Sequence, residues 1–342
     1  MTSKSDADLK SEAVQSRMGK TARFIYRMMN RCIDQSRREL IDMLEKMAYK
    51  SGMTRAEAKA WLEHPTNGEI QTHLLNRTRA LGNNELNKSI MDSLASFTYT
   101  RRKALTDALE NQLLYFSNYY RRGLIPLFTD TSYEAWGRSM YDIQKNSRIA
   151  FTLTGFPSKM LDEAVNNQLS YTYSTYTIKS VVGKALHESL FSNILLGKGV
   201  KDISKDLVKT KEVVPWKAKA IARTSLTEMA NKVEAETIKS AGLKKYRYVA
   251  TLDERTCPHC GKLDGKIFSL SEKEVGVNFP PLHPNCRCTT TAAFTPAVQK
   301  AFQRAVKDAH GDWVYVRGDM TYEEWKKAYL KSKPPKNSKK TD

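Results

Sequence analysis

Cysteine, long apolar runs and acidic residues are all scarce in this chain of 342 residues. Acids number 37 against 56 lysines and arginines, a formal charge of +19. An excess of that size repels itself, so it favours a polyanionic partner or surrounding. No stretch approaches the roughly 18 consecutive apolar residues of a membrane helix, so no membrane partner is expected. The opening MTSKSDADLKSEAVQSRMGK is polar and lacks the apolar core of a secretory signal. The expectation is therefore a chain kept in a reducing cytoplasm, which disfavours disulfides. Neither GxxxxGK[ST] nor GxGxxG is complete, so nucleotide hydrolysis has no motif behind it. Internal repeats are also missing.

What is present is mostly helical pattern. Ile25, Met28, Met29, Cys32, Ile33, Leu40, Leu44, Met47 and Ala48 recur at three-and-four spacing, one stripe of a long helix closed by Ser51 and Gly52. Thr54 with Glu57 reads as a capping box opening a short helix through Trp61, with Pro65 as its breaker. Further helices are expected over about 84–95, 98–122, 132–147 and 157–196, with Gly123 as the cap after NYYRRG. The rings of Phe116, Tyr119 and Tyr120 are read as packing between helices, with base stacking as the alternative. LLGKGVKDISKDL reads as a glycine turn and a short amphipathic helix. VKTKEVVPW follows as a linker, and Pro215 opens a helix that ends at Gly242. YRYVATLD alternates as an edge or half-buried strand does. After it come a helix over about 296–308, a short strand in HGDWVYVRGDM and a helix over 321–331.

The fold class expected is α+β: a long, mostly helical N-terminal region followed by a small α+β domain with a Cys/His loop. The boundaries read as 1–155 for the helical region, 156–208 for a helical connector, 209–294 for the core with the loop, and 295–342 for a basic extension. That extension ends in a proline- and lysine-rich tail read as disordered. Lys326, Lys327, Lys331, Lys333, Lys336, Lys339 and Lys340 make it a candidate phosphate-binding segment, or simply a solubilising one.

Four of the five cysteines lie between Cys257 and Cys288. Cys257 and Cys260 are spaced CxxC, and HPNCRC follows with His283, Cys286 and Cys288. Two thiolates on one turn and an HxxC pair on another complete a tetrahedral Cys3His set, which suits a structural Zn(II). Cys288 is one donor too many, either an alternate ligand or a small buried residue. His259 is read as pointing away. Reduced structural cysteines and a disulfide or redox pair remain alternatives. The loop has few apolar residues to fix itself, and a metal would supply the missing folding energy.

The string AIARTSLTEMANKVEAETIKSAG, the strand ending at Asp253-Glu254-Arg255-Thr256, the Leu263-Asp264-Gly265 turn and PPLHPNCRC together resemble the phage Mu F-like head morphogenesis family, over roughly residues 180–294. Arg223, Thr224, Asn231, Asp253, Gly265 and Pro281 carry that resemblance beside the cysteines. Ser225 stands where the family often has an acid. The resemblance implies a non-enzymatic minor head protein of a tailed phage. Its expected partners are the portal protein, the major capsid or scaffold protein, and packaged double-stranded DNA. Its expected place is the capsid interior, after assembly in the host cytoplasm. Two other readings compete: a zinc-containing DNA-binding module, and a metal-dependent nuclease using Asp253, His259 and His283. Within the first reading, Arg223 is expected to pair with Asp253, and Pro280-Pro281 to hold an extended approach to His283.

Overall fold

The computed structural model describes residues 6–81, 85–95, 99–147, 162, 165–166, 179–307 and 313–330. The chain divides into two compact units. One comprises Gly19–Ile125 and Leu169–Lys219, the other Met1–Met18, Pro126–Gln168 and Ala220–Asp342. No helix among the described residues is long and apolar enough to cross a membrane.

The first unit is helical. Helix α1 spans Asp6–Lys46, and from Ile25 to Met47 its expected stripe is buried, with Met43 added. Ala48 departs from the stripe: at φ 52 it has left the helix, and it is exposed. Both arms of the Thr54–Glu57 capping box form, opening α2 at Arg55–Glu63. Helix α3, Gly68–Ala80, had no expectation; Asn67 caps it by accepting from the Ile70 N–H. Then come α4, Glu85–Leu94, and α5, Arg101–Ser147. The two helices expected over 98–122 and 132–147 are therefore one, running through Gly123 and Pro126. Gly123 is no cap. A Cβ there would sit 2.1 Å from Phe24 Cζ, so the glycine makes room for a ring of α1. Phe116 and Tyr120 are buried as expected, while Tyr119 is exposed. Helix α6, Lys184–Leu195, takes up the described end of the element expected over 157–196. The rest of that expectation lies outside the described residues, apart from 162, 165–166 and a π-helical turn at Lys179–Gly183. The glycine turn forms with Gly197 at φ +65, and α7 follows at Val200–Lys209.

Helix α8, Val214–Ser240, leads into the second unit. Gly242 at φ +73 ends it, and β1 follows at Lys245–Val249. Strand β1 pairs antiparallel with β2, Ile267–Ser269, and with β3, Thr289–Ala292, in the order β2-β1-β3. It is thus the central strand, not an edge. Tyr246 and Tyr248 share one face, as residues two apart do on a strand. Tyr246 packs with Ala235, Ile238 and Ala241 of α8 and with Phe279. Arg247 points the other way, is buried, and donates from Nη1 to the Gly318 carbonyl at 3.0 Å.

Gly318 belongs to the part of the chain after the sheet. After the short helix α9, Pro258–Leu263, helix α10 covers only Pro296–Ala301. The helix expected over 296–308 stops there, because the chain turns into β4, Gln303–Lys307, paired with β5, Trp313–Arg317. Helix α11, Tyr322–Trp325, follows with its own capping box from Thr321 and runs into a π-helical turn at Lys326–Leu330. Leu252, Val306, Val316, Tyr322 and Trp325 form a buried cluster on this side. Arg304 and Asp264 make a buried ion pair beneath it, Nη2 to Oδ1 at 3.1 Å.

Candidate metal centre

The site grows from two limbs. The first leaves β1 and turns into α9, Pro258–Leu263, a helix of barely two turns capped by Cys257, whose sulphur accepts from the Cys260 N–H at 3.4 Å. The CxxC pair therefore does open a short helix, where the sequence suggested only a turn. Gly265, at φ +80, closes that turn in a conformation that favours glycine, and its N–H donates to the Tyr248 carbonyl. The second limb is Pro280 to Cys288. Its approach to His283 is not a plain extended run, since the Pro280–Pro281 peptide bond is cis.

A row of side chains on α8 holds the second limb. Thr224, Thr227 and Asn231 stand three and four residues apart, on one helix face. Thr224 Oγ1 accepts from the Asn285 N–H at 2.9 Å. Thr227 donates to the Cys286 carbonyl at 3.2 Å. Asn231 Nδ2 donates to the Cys288 carbonyl at 3.3 Å, and its Oδ1 accepts from the Thr290 hydroxyl at 3.0 Å. Successive backbone groups of the limb are thus satisfied by one helix. Thr227 was missed by sequence reasoning, although its place between Thr224 and Asn231 was the signal.

The limbs bring five donors together. Cys257, Cys260 and His283 form one group, and Cys260, Cys286 and Cys288 a second, with Cys260 common to both. His283 Nε2 lies 3.4 Å from the sulphurs of both Cys257 and Cys260. Cys260 and Cys286 sulphurs are 4.0 Å apart. Bonds of ~2.3 Å to sulphur and ~2.0 Å to nitrogen around a tetrahedral ion give edges of about 3.5 Å from nitrogen to sulphur and about 3.8 Å between sulphurs, close to these distances. His283 Nδ1 lies 2.8 Å from the Pro284 carbonyl oxygen. That oxygen can only accept, so Nδ1 carries a proton and Nε2 is the ring nitrogen turned to the sulphurs.

Electrostatics favour a thiolate at Cys257 and at Cys286, and disfavour one at Cys260 and Cys288. Burial acts upward on the Cys257 thiol, but the Cys260 N–H and the neighbouring His283 outweigh it and hold the group below its ordinary value. Cys286 is held low by hydrogen bonding from Cys260, and Cys260 is raised by the same partner. The Tyr248 hydroxyl lies against Cys260 and Cys288, is buried, and has no well-formed hydrogen bond among the described residues. A donor set of soft sulphurs and one oriented imidazole could hold a metal ion of the zinc class.

The residues set around this centre match a known family. Residues 184–291 match the model of the Phage Mu protein F like family. No curated protein and no solved structure matches the chain.

The Mu F-like segment ends before Pro296–Leu330, yet Arg304 of β4 reaches back to Asp264 inside it. Asp264 caps backbone N–H groups, as an LDG turn suggests, but those of Ala250 and Tyr322 rather than of its own turn. Asp253 is paired with Arg287, whose Nη2 donates to Oδ1 at 2.6 Å while Nη1 binds Oδ2. The expected partner, Arg223, reaches Asn285 instead, at 3.5 Å. Arg287 takes the carboxylate because it projects from the limb that faces Asp253. Asp253 is not among the clustered donors, and His259 is exposed outside them. Lys326 and Lys327 are exposed in the turn after α11. Lys331, Lys333, Lys336, Lys339 and Lys340 lie outside the described residues.

Proposed function

We propose that this protein is a minor head protein of a tailed bacteriophage, acting in head assembly and in DNA packaging or delivery. It associates with the portal protein and the major capsid or scaffold protein, and it resides in the capsid interior with packaged double-stranded DNA. The observation that carries this reading is the family match over 184–291, which contains the whole Cys/His loop. The charge of +19 supports it, because a protein enclosed with DNA gains from neutralising phosphates. The role is structural, not enzymatic. Cys257, Cys260, His283 and Cys286 hold a structural Zn(II), with Cys288 as an alternate ligand. Such a set fills all four positions and leaves none for substrate. Asp253, the acid a nuclease would need, is committed to Arg287.

The test is quantitative mass spectrometry of purified, nuclease-treated particles of the phage that encodes the chain, with the portal protein as internal standard. The expected result is a few copies per particle, retained after external DNA is digested. Absence from particles while the protein is abundant in the lysate overturns the reading.

A further inference from the structure

Beside the sulphur cluster, the guanidinium groups of Arg287 and Arg255 meet one carboxylate, and Arg223 reaches Asn285, two residues before Arg287. Asp253 is almost fully enclosed, and Arg287 occupies both its oxygens. Its Oδ1 also accepts the Arg255 N–H at 2.9 Å and the Thr256 hydroxyl at 3.4 Å. The Arg255 guanidinium stands 3.6 Å away and its side chain is 70% exposed. Arg223, on α8, lies in the same field. Burial lowers its pKa, Arg287 and Arg255 lower it further, and only Asp253 acts in the opposite direction. Among the described residues, the one hydrogen bond of Arg223 is the long contact to Asn285 Oδ1 at 3.5 Å. Among these side chains one carboxylate is set against three guanidinium groups, and both its oxygens are taken by Arg287, which the Cys286 and Cys288 sulphurs also favour. Arg223 has no anion within ion-pair distance among the described residues, and Arg255 has only the 3.6 Å approach to a carboxylate that Arg287 already fills; a planar guanidinium fork matches a phosphate.

We propose that Arg223, Arg255 and Arg287, gathered around Asp253, form an oxyanion site that receives a backbone phosphate of DNA. All three are held by rigid neighbours. Arg223 is on α8, Arg255 stands two residues before Cys257, and Arg287 lies between Cys286 and Cys288. The sulphur cluster therefore positions the site. The chain's net charge of +19 favours a polyanion over an isolated ion as the source of the phosphate. The choice of DNA rests on the virion reading above, but the two fail separately, since particle copy number does not depend on these guanidinium groups.

The experiment is fluorescence anisotropy of the full chain with a short labelled duplex over a salt series. R223Q/R255Q is compared with K50Q/K59Q, which removes the same charge from two exposed lysines elsewhere. R223Q/R255Q is expected to weaken binding about tenfold more than K50Q/K59Q, and to lower the slope of log affinity against log salt by about two. Should the double variant misfold by circular dichroism, R255Q alone, at an exposed position, is expected to lower the slope by about one. Equal losses from the two pairs overturn the site, as does a wild-type chain that leaves the duplex unbound at low salt. In a second arm, inorganic phosphate is titrated against the bound duplex. Displacement at millimolar phosphate from wild type but not from R223Q/R255Q supports the site. Phosphate binding that leaves the duplex bound equally by both overturns DNA as its ligand.

Discussion

Replacing Asp264 by Asn changes one atom and strands a buried charge. The Asp264 side chain is fully enclosed and that of Arg304 is 10% exposed. Oδ1 accepts from the Ala250 N–H at 2.8 Å and from Arg304 Nη2 at 3.1 Å. Oδ2 accepts from the Tyr322 N–H at 2.7 Å and from Arg304 Nη1 at 3.1 Å. A carboxamide offers one oxygen and one NH2, so whichever way it turns, donors face donors. Breaking a buried pair from one side costs about 3–5 kcal/mol, because the partner charge stays behind without compensation. At about 1.4 kcal/mol per factor of ten, local opening becomes roughly a hundred- to three-thousand-fold more frequent. Hydrogen exchange read by mass spectrometry should show this in peptides covering Gln303–Lys307 and Trp313–Trp325. Peptides from the middle of α1 should be unchanged. Adding Arg304→Met removes the stranded charge, so D264N/R304M should exchange more slowly than D264N. A D264N protein whose β4 and β5 peptides exchange within about threefold of wild type refutes the reasoning, since the stranded charge then costs well under 1 kcal/mol.

Two other substitutions probe single packing and hydrogen-bonding claims. Gly123→Ala places a Cβ 2.1 Å from Phe24 Cζ and 2.5 Å from Cε2. Overpacking of about 1–3 kcal/mol should outweigh alanine's helix advantage of up to ~1 kcal/mol, lowering the melting temperature; a higher melting temperature contradicts the contact. Asn231→Ala leaves the buried Cys288 carbonyl and Thr290 hydroxyl without their partner, at about 1–3 kcal/mol for each group left unpaired. Faster hydrogen exchange across Thr289–Ala292 is the expected sign, and unchanged exchange there removes Asn231 from its assigned role.

Much of this could be read locally. The α1 stripe, the Thr54–Glu57 box and the glycine turn at Gly197 depend on residues a few positions apart, so periodicity and capping chemistry reveal them. The Cys/His cluster was legible because metal-type spacing is itself a short-range pattern. What was not legible rests on distant partners. Gly123 and Pro126 look like breakers until Phe24 of another helix explains the glycine. Strand β1 alternates like a half-buried strand, but Arg247 is enclosed by residues seventy positions later. Several arginines lie near Asp253 in the sequence, and only the fold selects Arg287. The helix expected through 308 fails for the same reason: pairing with β5 outweighs local propensity in Gln303–Lys307.

The two limbs of the centre are joined by more than sulphur, and this sets what metal removal should do. The α8 row of Thr224, Thr227 and Asn231 fixes only the second limb. Between the limbs run the Thr251 hydroxyl to the Arg287 carbonyl at 2.9 Å, the Asp253–Arg287 pair, and the contacts among Cys257, Cys260, His283 and Cys286. Chelation removes the last of these and leaves the first two, while β1 and β3 stay paired. The chelated full chain should therefore keep its strands but lose protection over Pro280–Cys288, with exchange in that segment rising by at least tenfold. Arg287→Met deletes the ion pair, and chelating that variant should open the first limb as well, through α9. Wild-type protein should release about one zinc ion per chain, counted by plasma mass spectrometry. Purified full-length protein that yields no metal, and whose Pro280–Cys288 segment is equally protected with and without chelator, would show that packed thiols and the ion pair suffice.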